Sequence, residues 1–268
     1  MPAPMRAPDP AATTIAYVTR EGYVDGVSLH IGTSGWAYRE WKPAFYPPDV
    51  PQDRFLEHYG SVLSACEVNA TFYRLQSESV VARWAAATPA TFRFAVKAHR
   101  RLTHGRAMGW SDEERGFLER FLESVAPLGD RLGALLLQHP PARRRDDAGL
   151  DAVLGALPDG QPFALEFRHE SWADPSVFDR IAARGGTVCI SETAGEVLDR
   201  LPPGPFAYVR LRADRYSPAA RDGWLELLRR EAAQRPVFAF AKHEGIPAGD
   251  PFGGIGLAEW LAAHAEGV

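Results

Sequence analysis

The sequence predicts a single α/β domain, a closed (β/α)8 parallel barrel of the TIM type. Three observations carry this expectation. The chain has 268 residues, close to the roughly 250 of one such barrel. Eight short β-like runs alternate with helical stretches, which implies parallel strands joined by right-handed crossovers. Polar side chains gather at the C-terminal ends of those runs, the end at which barrels of this kind carry their sites. An open doubly wound sheet would need a Gly-rich phosphate turn after the first strand, and Gly32-Thr33-Ser34-Gly35 lacks that pattern.

The expected strands are residues 29–34, 66–70, 92–98, 133–138, 163–168, 187–191, 206–212 and 237–242. Each is short, rich in apolar residues and bounded by polar or turn-forming ones. Helices are expected over 52–59, 78–87, 112–126, 146–157, 176–183, 221–234 and 252–265, with a single weak turn at 195–201 between the sixth and seventh strands. Ser111 and Glu114 have the spacing of a capping box, and Pro175 suits a first helical turn. The domain is expected over residues 27–268. Residues 1–26, rich in Pro and Ala at their start, read as a disordered or loosely attached extension.

Composition narrows the function classes. Hydrophobic residues make up 46% of the chain, enough for a large core. A net charge of −4 argues against a general nucleic-acid binder. Cys66 and Cys189, both in apolar runs, read as buried free thiols of a reducing compartment. No signal-peptide core or membrane-length apolar run is present, so a cytoplasmic protein with no membrane partner is expected.

The run Phe163 to Trp172, FALEFRHESW, is the most informative. Strand alternation sets Phe163, Leu165 and Phe167 on one face and Ala164, Glu166 and Arg168 on the other. Burying such charges is costly without partners. The pattern recurs as Glu67 and Asn69 opposite Cys66 and Val68, Lys97 opposite Phe94 and Val96, and Tyr208, Arg210 and Arg212 on one face of the seventh strand. Gln138 closes the fourth strand, Ser191 and Glu192 the sixth, and Lys242 the eighth. One such strand is explained by a packed ion pair; many in register predict a polar ring at the barrel mouth. Bases outnumber acids there, so the ring is expected to receive a small anion, arginine offering a planar fork of donors.

Other features add candidates. Gly253 and Gly254 open the last helix, where backbone amides hold phosphate in some barrels. The aromatics Trp36, Tyr38, Trp41, Phe45, Tyr46, Phe72 and Tyr73 suit either a ligand wall or a plug in the barrel top. His104 and His169 are candidate proton-transfer residues. Ser34 lies in a Gly-rich turn without the nucleophile-elbow pattern. Glu and His residues near strand ends are metal-ligand types, but no HxH or HExxH occurs and the adjacent cations oppose a metal. No cofactor or metal is expected.

The ordered segments Ile31-Gly32-Thr33-Ser34-Gly35-Trp36, Phe45-Tyr46-Pro47 and Glu67-Val68-Asn69-Ala70-Thr71-Phe72-Tyr73 resemble the YecE-like family, domain-of-unknown-function family seventy-two. Phe94-Ala95-Val96-Lys97-Ala98, Leu102-Thr103-His104, Gln138-His139-Pro140-Pro141, Glu166 to Trp172 and Tyr208 to Arg212 extend the likeness over residues 29–265. The resemblance implies a TIM-barrel-like fold and supplies no reaction. Many members have His-Gly after the seventh-strand arginine and Phe-Asn-Asn at the eighth strand. Here those places read Arg212-Ala213 and Ala241-Lys242-His243-Glu244; part of the family resembles this chain in having the Lys-His-Glu ending. His139 stands where leucine is usual.

The expectation is an enzyme, whether hydrolase, lyase or isomerase, acting on a small phosphate- or carboxylate-bearing molecule. Trp36, Tyr38, Asn69, Tyr73, Lys97, Gln138, Arg168, Arg210, Arg212, Lys242, Gly253 and Gly254 are the candidate substrate-binding residues. Glu67 or Glu166 would transfer protons, assisted by His104 or His169. Two other readings stay open: a metal-dependent nuclease or sugar-phosphate isomerase-like enzyme, and a non-catalytic module binding nucleic acid or protein.

Overall fold

A computed structural model describes residues 29–265; the expected N-terminal extension lies outside them. Eight strands, β1 (Leu29–Thr33), β2 (Ala65–Val68), β3 (Arg93–Lys97), β4 (Leu132–Gln138), β5 (Phe163–Glu166), β6 (Gly186–Glu192), β7 (Ala207–Leu211) and β8 (Val237–Ala241), close in sequence order into a barrel. Every neighbouring pair is parallel, β8 returning to β1 with five paired positions. All eight strands predicted from sequence are present, with ends within two residues of those expected.

Helices α1 (Phe55–Val62), α2 (Glu78–Ala86), α3 (Arg100–Thr103), α4 (Asp112–Val125), α5 (Asp147–Ala156), α6 (Pro175–Ala183), α7 (Pro218–Ala232) and α8 (Gly254–Ala265) cover the barrel. The α4 start is the expected capping box, Ser111 accepting from the Glu114 amide and Glu114 from that of Ser111. The weak turn expected at 195–201 is not helical. Gly195 has φ +79°, outside the helical region. The Glu192 carboxylate instead takes the amides of Gly195 and Glu196 at 2.6 and 3.2 Å. Pro202, Pro203 and Pro205 then remove amide donors from the rest of the connection. No helix therefore stands between β6 and β7.

Buried apolar residues fall into two groups, and alternation explains the division. One lies inside the barrel: Ala65, Ala95, Ala134, Leu136, Ala164, Cys189, Phe206, Tyr208, Phe238 and Phe240. The other, including Cys66, Val68, Phe94, Val96, Phe163 and Leu165, packs under the helices. Inside, alanines of β2 to β5 face aromatics of β7 and β8, so large side chains fill the space that small ones leave. The reach is evident at Gly133 of β4, where a Cβ would come within 2.7 Å of the Phe238 ring from β8.

The β1–β2 seam has only two paired positions. Tyr59 of α1, fully buried, inserts its hydroxyl there. It accepts from the Thr33 amide at 2.7 Å and donates to the Ala65 carbonyl at 3.0 Å. Tyr59→Phe removes this bridge and strands a buried amide, a cost of about 1–3 kcal/mol. Urea unfolding is expected to show that loss; a change below about 0.5 kcal/mol would contradict the bridging role.

Candidate functional site

The inward positions nearest the C-terminal ends of the strands carry the polar ring. Glu67 on β2, Lys97 on β3, Gln138 on β4, Glu166 on β5 and Arg210 on β7 occupy them, with Ser34, Asn69, Arg168, Arg212 and Lys242 just beyond their strands. At its centre Arg210 bridges the two glutamates. Its Nη2 donates to Glu67 Oε1 at 2.8 Å and its Nη1 to Glu166 Oε2 at 2.7 Å. Both glutamates are 0% exposed and Arg210 3%.

Each carboxylate is saturated. Glu67 Oε1 also accepts from Ser34 Oγ at 3.1 Å and Asn69 Nδ2 at 3.2 Å, and Oε2 from Tyr208 at 2.9 Å. Glu166 Oε2 also accepts from Gln138 Nε2 at 2.8 Å, and Oε1 from Arg168 Nε at 2.9 Å. Burial pushes the Glu166 carboxyl up, but Arg210, the Gln138 hydrogen bond and Arg168 outweigh it and hold it below the usual value. Burial likewise opposes the Arg210 charge, and Glu67 and Glu166 raise its pKa above the ordinary arginine range. Buried charges survive only when paired in this way. Two polar atoms of the network, Arg210 Nε and Asn69 Oδ1, are buried with no partner among the described residues.

The rim is different. Lys97 Nζ stands 4.1 Å from the centre of the Phe72 ring and has no hydrogen bond or ion pair to any described residue. Burial first, then Arg210, lower its pKa to about 8, against the opposite pull of Glu67 and Glu166. His104 meets the edge of the same Phe72 ring at 5.0 Å. Its pKa is lowered by burial and then by Lys97, Arg100, Arg168 and Arg143. Arg168, whose side chain is 42% exposed, uses only Nε on Glu166; both Nη groups have no described partner.

Other predicted residues lie elsewhere or are already engaged. Arg210 is enclosed, with both Nη groups on carboxylates, so it holds the ring together instead of presenting donors to a ligand. Arg212 pairs with Glu244 at 3.2 Å, and Lys242 pairs with Asp214. Trp36 turns outward onto Trp84 of α2 and Phe94, while Trp41, Phe45 and Tyr46 are core. Tyr38 donates to the Ser34 carbonyl at 2.8 Å and stacks on His243 at 4.4 Å. Tyr73 is 70% exposed. His169 caps the turn at Glu170–Trp172 by accepting from the Ser171 amide. Gly253 and Gly254 abut Asp214 and Ile246 at the α8 start. Among the described residues no group of three or more His, Cys, Asp or Glu side chains could hold a metal, and no helix is long and apolar enough to cross a membrane.

A cavity of about 910 Å³ opens beside Arg168 where the β6–β7 helix is missing. Phe167, Trp172, Phe178 and Ile190 form its apolar side, and Arg212, Lys242 and Glu244 its charged lip. Ser34, Tyr208 and Phe72 were noted in the sequence but not carried into its set of candidate site residues. Tyr208 shares the inward face of β7 with Arg210, a signal that period-two alternation already carried. The part Phe72 plays depends on where its loop folds.

The fold and this ring define a TIM-barrel-like protein whose mouth is held by a buried carboxylate–guanidinium network. The family described as "Protein of unknown function DUF72" matches residues 30–250, and the chain belongs to that family. YunF of Bacillus subtilis strain 168, a UPF0759 protein, is 30% identical over 158 residues, 57% of this chain and 55% of YunF. YecE of Escherichia coli K12, also a UPF0759 protein, is 29% identical over 142 residues, 53% of this chain and 48% of YecE. The matches thus span about half the length of these relatives. A DUF72 family protein from Thermotoga maritima MSB8 superposes with TM-score 0.68 at 21% identity, covering 90% of this chain and 98% of that one. One from Enterococcus faecalis V583 gives 0.66 at 18% identity, covering 89% and 96%. These likenesses in structure establish the fold.

The saturated network makes its members interdependent. Arg210→Met leaves two buried carboxylates without their shared cation and is expected to cost about 3–5 kcal/mol. Adding Glu67→Gln and Glu166→Gln removes the stranded charge and should restore a large part of that loss. Denaturant unfolding of the single and triple variants checks this; a triple variant as unstable as Arg210→Met would refute it.

Proposed function

We propose that the protein is an enzyme acting on a small phosphate- or carboxylate-bearing molecule at the C-terminal mouth of the barrel. The observation that carries this reading is the state of its cations. Arg210 neutralises Glu67 and Glu166, yet Lys97 and the two Nη groups of Arg168 remain without an acceptor among the described residues. Three cations then face two carboxylates, and the excess positive charge suits an anion. Arg168 supplies a two-pronged donor and Lys97 a compact charge. In this scheme Glu67 and Glu166 orient the arginines, and His104, beside Lys97, is the group available for proton transfer.

Calorimetric titration of the full-length protein with inorganic phosphate and with pyruvate tests the proposal. Arg168→Ala is expected to weaken binding roughly tenfold or more, the loss of a charge-assisted hydrogen bond. No saturable binding of either anion, or an unchanged Arg168→Ala variant, would contradict it.

The pH dependence follows from Lys97. Arg210, Arg168, Glu67 and Glu166 surround it electrostatically, and its pKa of about 8 means that it is mainly charged below pH 8 and neutral above. Affinity is therefore expected to fall as pH rises through that value, with the midpoint shifted upward in the complex because the bound anion favours the ammonium. Binding that is flat from about pH 6 to pH 10 would refute the role of Lys97.

A further inference from the structure

Of the 30 basic side chains in the sequence, only three are lysines: Lys42, Lys97 and Lys242. Arginine serves at nearly every surface and ion-pair position, so each lysine invites a specific question. Lys42 donates to the Pro48 carbonyl at 2.9 Å, and Lys242 is paired with Asp214. The Lys97 amine has neither kind of partner among the described residues. It is the inward-facing last residue of β3, half-buried, with its amine over the Phe72 ring. An arginine there would supply the same charge and a better fork for an anion. What arginine lacks is a lone pair: it does not deprotonate in proteins, whereas a desolvated lysine beside other cations becomes a nucleophile.

We propose that Lys97 is a covalent nucleophile that forms an imine with a small carbonyl compound carrying a carboxylate or a phosphate. The proposal rests on the anion-binding reading above, with Arg168 holding the charged group of the substrate. The neutral amine attacks the carbonyl carbon, a C–N bond forms as the C=O π pair moves to oxygen, and one of the two amine protons passes to that oxygen to give the hydroxyl of a carbinolamine. The second amine proton passes to that hydroxyl, the C–O bond breaks, and one water leaves as the C=N bond forms. His104, on the edge of the same Phe72 ring, is the residue suited to carry that proton. Atoms and charge balance with no oxidant or reductant. The amine pKa of about 8, set by burial and then by Arg210, leaves an appreciable neutral fraction at neutral pH. Relative to an ordinary lysine, that fraction is larger by roughly a hundredfold. The charged groups acting on the amine are Arg210, Arg168, Glu67 and Glu166.

Reductive trapping tests this directly. The full-length protein is incubated with glyoxylate, pyruvate or dihydroxyacetone phosphate in the presence of cyanoborohydride, which delivers hydride to the iminium carbon and fixes the adduct. Peptide mass mapping then reads all three lysines of wild type, so no variant has to fold. The expected result is an adduct from at least one probe, roughly tenfold more abundant on Lys97 than on Lys42 or Lys242, and absent from that site in Lys97→Arg. No adduct at Lys97 from any probe, or equal labelling of all three lysines, overturns the proposal. Titration with the same probes separates the two claims. Saturable binding that Arg168→Ala abolishes, without an adduct, removes the imine and leaves anion binding standing. Neither binding nor adduct removes both.

Discussion

The bridge from Arg210 to Glu67 and Glu166 is the interaction on which the mouth depends. It joins β7 to β2 and β5, strands three places apart in an eight-membered ring. An uncompensated charge at this depth would be prohibitive. The two carboxylates and the guanidinium are therefore mutually obligatory, and every carboxylate oxygen has an assigned donor. Contributions from Ser34 beyond β1, Gln138 on β4 and Tyr208 on β7 extend the constraint around the barrel. Arginine suits the central place because its planar fork reaches two acceptors in fixed directions.

Below this layer the interior changes character. Alanines on β2 to β5 leave room that Phe206, Tyr208, Phe238 and Phe240 fill from the other side. Aromatic packing thus closes the barrel beneath the charged layer. Tyr208 links the two levels, with its ring against Phe238 and Phe240 and its hydroxyl on Glu67. The apolar floor lowers the local dielectric and strengthens the ionic layer above it, and the same effect makes any unpaired member of that layer costly.

How much of this was legible depends on which physical rule set each feature. Strand number and inward faces followed from period-two alternation, so Glu67, Lys97, Glu166 and Arg210 were placed on the correct side of their strands from sequence. The choice of partner was not legible, because it is settled by distances between strands far apart in the chain. Arg168, Arg210, Arg212 and Lys242 looked equivalent as basic residues at strand ends. The structure divides them: Arg210 is enclosed by two glutamates, while Arg212 and Lys242 are matched to Glu244 and Asp214 in the loops. Loop aromatics carry no periodicity, which is why Trp36 was expected at the mouth and instead packs outward on Trp84. The turn at 195–201 failed because local bonds to Glu192 and the positive φ of Gly195 override weak helix propensity. The scarcity of lysine was countable in the sequence. It gained meaning only when Lys97 proved to be the one of the three whose amine has no acceptor among the described residues.

The arrangement also explains why that lysine is poised near neutrality. A lysine close to two carboxylates would ordinarily be held in its charged form. Here the carboxylates are already engaged by Arg210, and that guanidinium acts on Lys97 as well. After burial it is the largest influence on the amine, ahead of the opposing effect of either glutamate. The network that secures the fold of the mouth therefore withholds from Lys97 the counter-charge that would fix its proton. Structural pairing on β2, β5 and β7 and a titratable amine on β3 are two results of one allocation of charge.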